Sequence, residues 1–103
     1  KPTSHMVKDA TQGKADAAIE TLQALARSRG DLVDVQFALG DVLRSEERFD
    51  EAEAVYSAAI ALRDPPAEED WVLYFYRGIC REQSGKWAAA EADFRRALEL
   101  NPT

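Results

Sequence analysis

Few side chains in this sequence of 103 residues could carry out catalysis or bind a metal. His5 is the one histidine, and it lies in a Ser4-His5-Met6 sequence that is typical of a cloning remnant. Because we assign His5 to that remnant, the chain offers neither a His-dependent catalytic triad nor a typical zinc site. The natural N-terminus is accordingly expected to be missing.

Two pairs of neighbouring acidic residues, Glu46-Glu47 and Glu68-Glu69, are the next candidates for chemistry. Paired carboxylates can act as a general acid and a general base. Both pairs lie at predicted turns or helix starts, where a negative charge interacts favourably with the helix dipole. We therefore interpret them as structural.

Neither the glycines nor the cysteine indicates a reactive site. Gly78 and Gly85 are too far apart for a phosphate-binding loop, and Lys86 is followed by Trp87 instead of Ser or Thr. The single Cys80 cannot form an internal disulfide, and its apolar helical surroundings predict a buried, inert thiol. We expect no enzyme activity, no metal and no cofactor.

The composition is typical of a water-soluble folded domain, with 46% hydrophobic and 31% charged residues. A net charge of −6 argues against nucleic-acid binding, which requires clustered Lys and Arg. No apolar stretch approaches the ~20 residues of a membrane span, so we expect no direct membrane insertion. An acidic surface favours neutral or basic partners.

Apolar residues recur at three- and four-residue steps through most of the chain, which predicts five amphipathic helices. The breaks between them coincide with glycine and proline, at Gly30, Pro65-Pro66 and Gly85. The predicted helices run from about Gly13 to Ser28, Asp34 to Ser45, Asp50 to Arg63, Glu69 to Ser84 and Trp87 to Leu100.

Several residues recur at a fixed distance, which is typical of a stacked repeat protein. The pairs separated by 38 residues are Gly40–Gly78, Phe49–Trp87, Ala52–Ala90, Tyr56–Phe94 and Ala59–Ala97. A partial earlier copy precedes them by 34 residues, in Ala18–Ala52, Leu22–Tyr56 and Leu25–Ala59. Small residues allow two helices to approach closely, and the aromatic residue fills the space beside them.

These spaced residues resemble the tetratricopeptide repeat family, whose unit places Gly on its first helix and Ala, an aromatic residue and Ala on its second. The resemblance implies an all-α fold, a right-handed α-solenoid of about five helices in antiparallel pairs. Residues 1–8 would be a tag remnant or disordered terminus, and residues 9–103 the repeat domain. That domain divides into a half unit (9–30) and two full units (33–65 and 70–103), a fragment of a longer array.

Two residues of the predicted fourth helix depart from the family pattern. Arg77 and Arg81 stand where Leu and an aromatic residue are usual. We expect each to bury its aliphatic stem and keep its charge in water.

The first helices of successive units line a concave groove in this family, and peptides bind there. The resemblance implies that this groove presents Asp34, Phe37, Asp41, Arg44, Val72, Phe75, Ile79 and Glu82. Family members that clamp a C-terminal carboxylate carry Lys, Asn and Arg at such positions, so this chain is not expected to be one. Phe75 and Ile79 fit two roles equally, ligand anchors or packing between neighbouring first helices, although the aromatic run from Trp71 to Tyr76 should leave at least one ring partly exposed.

Two functions follow from this resemblance. The first is a non-catalytic scaffold that binds a protein or peptide segment in the groove. The second is a purely architectural segment, without a groove ligand. Apolar residues at the two ends predict self-association into a homo-oligomer. They are Ile19, Leu22 and Leu25 at one end and Phe94 and Leu98 at the other. The repeats are similar to those of bacterial members, so both the cytoplasm and the bacterial periplasm stay open as compartments.

Overall fold

The computed structural model describes the backbone of residues 2–103 and the side chains from residue 12 onward. All regular structure in this part of the chain is helical, which confirms the all-α prediction. The helices are α1 (Pro2–Ser28), α2 (Val33–Ser45), α3 (Phe49–Leu62), α4 (Trp71–Gln83) and α5 (Trp87–Leu100), with a short 3-10 turn (Glu68–Asp70) before α4.

The start of α1 differs from the prediction, because the helix begins at Pro2 and not near Gly13. Proline suits a first helical turn, where its missing N–H has no partner to lose. No further proline interrupts the helix. The backbone before Gly13 can therefore be helical, although the sequence there shows no apolar periodicity. Of the predicted terminus 1–8, residue 1 lies outside the described residues, and the division of the chain into 1–8 and 9–103 stays a prediction.

Each helix packs against the next along the chain, from α1 on α2 to α4 on α5. The hydrophobic core follows the same path, and Tyr56 is its largest fully buried side chain. Its buried members are Ile19, Leu39, Leu43, Ala52, Tyr56, Ala59, Leu73 and Cys80. Successive burial of amphipathic helices on their neighbours is the arrangement of a helical solenoid.

The predicted close approach at the two glycines is confirmed. A Cβ atom on Gly40 would lie 2.7 Å from the Tyr56 ring, and one on Gly78 would lie 2.7 Å from the Phe94 ring. No side chain fits in that space, so glycine sets the distance between the helices of each pair. This contact helps to position α2 and α4, which carry the candidate groove residues.

The apolar end formed by α1 is smaller than expected. Ile19 is buried in the core, Leu22 is half-buried against it, and only Leu25 of the predicted apolar residues is exposed. The sequence pattern assigned all three to an open stripe because it could not show that α2 covers this side of α1.

Two arginines of α4 join it to both neighbouring helices. Arg77 forms a bidentate ion pair with Asp93 of α5, with Nε–Oδ2 and Nη2–Oδ1 distances of 3.0 and 2.7 Å. Arg81 bonds Asp93 (Nη1–Oδ2, 2.9 Å) and Glu53 of α3 (Nε–Oε2, 2.8 Å). Since the Asp93 side chain is only 4% exposed, the expectation that these charges stay in water was wrong. They are paired inside the helix interfaces.

Glu53 is the second acidic centre of this network. Its Oε1 accepts a hydrogen bond from Lys86 Nζ at 2.8 Å, while its Oε2 accepts the one from Arg81. Burial alone would raise the pKa of Glu53, but the hydrogen bonds from Lys86 and Arg81 outweigh it and leave the pKa below its ordinary value. Folding therefore favours the ionised carboxylate.

We expect Glu53→Gln to lower the free energy of unfolding by roughly 2 kcal/mol at neutral pH. The reason is that Arg81 and Lys86 would lose the largely buried carboxylate with which both of them pair. A lowered pKa means that this stabilisation is complete above the unfolded carboxyl value of about 4.3, and that it is lost as the pH falls through the folded value. Urea unfolding at several pH values should show the difference between variant and parent shrinking in acid.

The matched control is Glu91→Gln, which changes the equivalent residue of the next unit. Glu91 forms an exposed pair with Arg95 at 3.3 Å, so its loss should cost less than about 0.5 kcal/mol. An equal loss in both variants, or a difference that does not change with pH, would contradict the role assigned to Glu53.

The turns inside the two helix pairs use equivalent residues with a left-handed backbone. Glu47 has a φ of 60° and Gly85 a φ of 78°. Glycine adopts this conformation without steric cost, whereas a residue with a Cβ atom is strained there. The first unit therefore carries a strained turn that the second avoids.

Glu47→Gly should raise the free energy of unfolding by about 1 kcal/mol, because it removes this strain. Gly85→Ala should lower it by a similar amount, since no atom near Gly85 would block the added Cβ and only the backbone changes. Thermal or urea unfolding of both variants would measure the two shifts. Changes of the same sign would contradict the assignment.

Candidate partner-binding surface

The eight predicted groove residues lie on two helices, four on each. Asp34, Phe37, Asp41 and Arg44 are on α2, and Val72, Phe75, Ile79 and Glu82 are on α4. The structure separates them into distinct environments: one cavity between the two helices, one polar cluster, one aromatic end and two positions outside these three.

The first environment is a cavity of about 380 Å³ at the N-terminal ends of α2 and α4, which we call the α2–α4 cavity. It brings together three predicted residues, Asp34, Phe37 and Val72. Its other lining residues are Val33, Arg63, Glu69, Asp70 and Leu73. The cavity is lined by three of the eight predicted groove residues, and the groove itself stays a prediction.

One wall of the α2–α4 cavity is held by an ion pair that the sequence reasoning missed. Arg63 Nε lies 3.1 and 3.0 Å from the two carboxylate oxygens of buried Asp70. The backbone N–H of Ala67 donates to Asp70 Oδ2 at 2.7 Å. Asp70 stands outside the apolar periodicity, so the pattern gave no signal for it. The contacts fix the loop between α3 and α4 beside the cavity.

Phe37 and Val72 also belong to the packing between the helices. Both are half-buried against the hydrophobic core. The Phe37 ring lies 6.1 Å from the Tyr56 ring and 6.0 Å from the Tyr76 ring, measured between centroids. These two residues therefore form the apolar base of the cavity and also stabilise the packing between the helices.

The second environment is a polar cluster of Asp41 and Arg44 around Tyr56. Tyr56 Oη donates to Asp41 Oδ1 at 2.7 Å, and Arg44 donates to Tyr56 Oη at 3.2 Å and to Asp41 Oδ1 at 3.1 Å. Burial raises the pKa of Tyr56, so its hydroxyl stays a donor. The Arg44 guanidinium also lies 4.3 Å from the centroid of the Tyr76 ring. Arg44 is thus held in place by three partners.

The third environment is an aromatic end around Phe75. The Phe75 ring lies 5.8 Å from both the Trp71 and the Phe94 rings, and it is 36% exposed. This confirms that the aromatic run leaves one ring partly exposed. A cavity of about 450 Å³, the end cavity, opens here and is lined by Trp71, Phe75, Phe94, Ala97, Leu98, Asn101 and Thr103. Phe75 therefore does not line the α2–α4 cavity.

Ile79 and Glu82 line neither of the two cavities. Ile79 is half-buried and Glu82 is exposed, both on the C-terminal half of α4. Ile79 offers a partly exposed apolar side chain there, and Glu82 an exposed acidic one.

Cys80 behaves as predicted for an inert thiol. It is fully buried in the core, and burial raises the pKa of its thiol to about 11. A thiol with this pKa carries almost no thiolate at neutral pH.

Metal ligands do not gather in the described part of the chain, where no group of three His, Cys, Asp or Glu side chains is positioned to hold an ion. Within the same residues, the helices are too short or too polar to cross a membrane.

Two of the solved structures with a similar fold are of MamA. MamA AMB-1 matches with a TM-score of 0.77 and 29% identity over 89% of this chain and 52% of its own. MamA MSR-1 matches with a TM-score of 0.76 and 30% identity over 86% of this chain and 49% of its own. The chain thus spans about half the length of these two relatives.

A third structure contains a bound peptide. It is the first tetratricopeptide repeat domain of Spaghetti (RPAP3) bound to the HSP90 peptide SRMEEVD. It matches with a TM-score of 0.78 and 26% identity over 93% of this chain and 73% of its own. No curated protein sequence matches the chain significantly.

The family model described as "Tetratricopeptide repeat" matches residues 10–68 and again residues 37–103. The two matches overlap in the middle of the chain and together take in both complete helix pairs and nearly all of the half unit. The glycine–aromatic contacts occur in both pairs, as the family pattern requires. This chain belongs to the tetratricopeptide repeat family.

Proposed function

We propose that this chain is a non-catalytic scaffold that binds a protein or peptide segment in a concave groove formed by α2 and α4. The observation that carries the proposal is the α2–α4 cavity, an open space of about 380 Å³ with an apolar base of Phe37 and Val72. Cavities of this size with a few polar groups are suited to a side chain of a bound segment. The peptide-bound RPAP3 domain supports a protein ligand for this fold.

The proposed surface combines apolar anchors on α4 with polar residues on both α2 and α4. Phe75 and Ile79 provide apolar surface beyond the cavity, and neither belongs to the hydrophobic core cluster. Asp41, Arg44 and Glu82 would set the orientation of the segment. Arg44 is already hydrogen-bonded to Asp41 and Tyr56. Because its side chain is held in one position, it would lose little conformational entropy when a segment binds.

The charge of this surface selects against acidic ligands. Asp34 and Glu82 are exposed, and the charge of Arg44 is shared with Asp41. A neutral or basic segment with large apolar side chains would complement this arrangement. The peptide in the RPAP3 structure, SRMEEVD, has the opposite character, with three acidic residues and one basic residue.

Replacing both Phe75 and Ile79 by Ala should weaken the capture of the partner at least tenfold, since apolar anchors dominate binding at such surfaces. Affinity capture from the native host, followed by a binding titration with the captured protein, would measure the change. The domain should stay folded by circular dichroism, because neither side chain is fully buried.

Leu25→Asp is the matched control for that double variant. Leu25 is an exposed apolar residue of α1 and lines neither the end cavity nor the α2–α4 cavity, so partner capture should be unchanged. Unchanged capture by the folded Phe75/Ile79 variant would exclude the proposed surface.

A second test uses the peptide SRMEEVD. We expect no saturable binding to this chain in a fluorescence anisotropy titration, because the acidic surface repels it and no Lys-Asn-Arg set is present to clamp its carboxylate. A charge-reversed peptide, SRMKKVK, controls for simple electrostatic attraction. Saturable binding of SRMEEVD at physiological salt would contradict the proposed ligand chemistry.

A second candidate function is an architectural segment of a longer array. The aromatic end favours it, because Phe75 packs on Phe94 and lines a cavity to which α2 contributes no residue. In that case Phe75 would contact a neighbouring helix instead of a ligand. The two functions differ in their dependence on Ile79, which does not line the end cavity.

A further inference from the structure

The α2–α4 cavity combines its apolar base with a negatively charged lining. The charged residues that line it are three carboxylates and one guanidinium, which gives a net charge of −2: Asp34, Glu69, Asp70 and Arg63. The base of Phe37 and Val72 is half-buried against the hydrophobic core. A cavity with these two properties suits a ligand group that is apolar along its length and positively charged at its tip.

Two of the four charges are already paired with each other. Arg63 Nε lies 3.1 and 3.0 Å from the two carboxylate oxygens of Asp70, whose side chain is only 6% exposed. The backbone N–H of Ala67 also donates to Asp70. Because this ion pair is held within the chain, it contributes little net charge towards a ligand.

Asp34 and Glu69 are the carboxylates that remain for a ligand. Asp34 is exposed and, within the described part of the chain, accepts no hydrogen bond from Arg63. Glu69 is 73% exposed, and its Oε1 lies 3.4 Å from Arg63 Nη2, a long and weak contact. The negative charge of both side chains can therefore act on a group that enters the cavity.

The electrostatic field of the cavity favours a cation. The pKa of the Arg63 guanidinium is raised above its ordinary value, first by its hydrogen bond to Asp70 and further by the charges of Glu69 and Asp34. Since Asp70 balances the charge of Arg63, a second cation in the cavity would be attracted by Asp34 and Glu69.

The two helices contribute different chemistry at equivalent positions. Val72 follows Asp34 by 38 residues, the distance between the two complete units, and both residues line the cavity. The α2 side therefore supplies a carboxylate where the α4 side supplies an apolar side chain. This difference gives the cavity a charged side and an apolar side.

We propose that the α2–α4 cavity binds a long basic side chain, lysine or arginine, of the bound protein segment. The methylene stem of that side chain packs on Phe37 and Val72, and its cationic head pairs with Asp34, while Glu69 adds to the attraction. Asp34 is then the residue that selects the basic side chain. The requirement for a basic residue rests on the proposed function, because the cavity is part of the same groove.

The probe comes from a displayed library of random short peptides that is selected against the full chain. One position of the selected peptides should be enriched in Lys and Arg. A selected peptide is then synthesised with Lys at that position and a fluorescent label, and its affinity is measured by an anisotropy titration at physiological salt.

Asp34→Asn should weaken binding of this peptide about tenfold, because the lysine head loses its carboxylate partner. The control with the same substitution is Asp50→Asn. Asp50 is the second residue of α3 as Asp34 is of α2, it is also exposed, and it lines neither cavity. Both variants remove one negative charge from a first helical turn, so a general electrostatic effect would be equal in the two. Circular dichroism would check that both stay folded.

Changes in the peptide separate the stem from the charge. Acetyl-lysine at the selected position removes the charge, and diaminobutyric acid keeps the charge on a shorter stem. Each should weaken binding several-fold. A charge exchange completes the test: Asp34→Lys in the chain should weaken binding of the lysine peptide and restore binding of a peptide with Glu at that position.

Two results would overturn the proposal and leave the groove intact as a binding surface. One is a set of selected peptides that require Phe75 and Ile79 but show no enrichment of basic residues. The other is equal affinity of Asp34→Asn and Asp50→Asn for the lysine peptide. A library from which no peptide binds the chain saturably would count against both the basic side chain and the proposed function.

Discussion

The contact between a glycine and an aromatic ring is the constraint on which this structure depends. Gly40 and Gly78 leave room for the rings of Tyr56 and Phe94, and this room sets how closely the two helices of a pair approach. Each ring then offers its outer surface to the next helix along the chain. In the first unit that surface receives Tyr76, so a local packing requirement within one pair also determines how pairs stack.

Ion pairs fix the register of helices that are held together by apolar contacts. Dispersion and burial hold helices together without specifying a register, whereas Arg77 and Arg81 must meet particular carboxylates on α3 and α5. Within the described side chains no buried polar atom lacks a hydrogen-bond partner. Arg77 and Arg81 thus place charged side chains at positions where the family usually has Leu and an aromatic residue. The carboxylates that pair with them lie on other helices.

The spacing of small and aromatic residues, together with the family that it resembles, was enough to predict the fold, its five helices and the buried glycines. The resemblance also supplied the eight predicted groove residues, and their positions in the sequence were enough to place them on α2 and α4. It could not show that Phe37 and Phe75 face different cavities, since that depends on which neighbouring helix is present. The partners of Arg77 and Arg81 were hidden for a similar reason: Glu53 and Asp93 are distant in sequence, and no periodicity marks an ion pair between helices.

The position of Arg81 between Glu53 and Asp93 has a consequence for motion. Because one side chain bonds α3 and α5 at the same time, α4 cannot separate from one neighbour without straining its contact with the other. Fluctuations should therefore begin at the outer helices, and the slowest amide hydrogen exchange should lie in α3 and α4. A partner that binds on α4 would meet a surface already ordered, and it would lose little conformational entropy of the scaffold on binding.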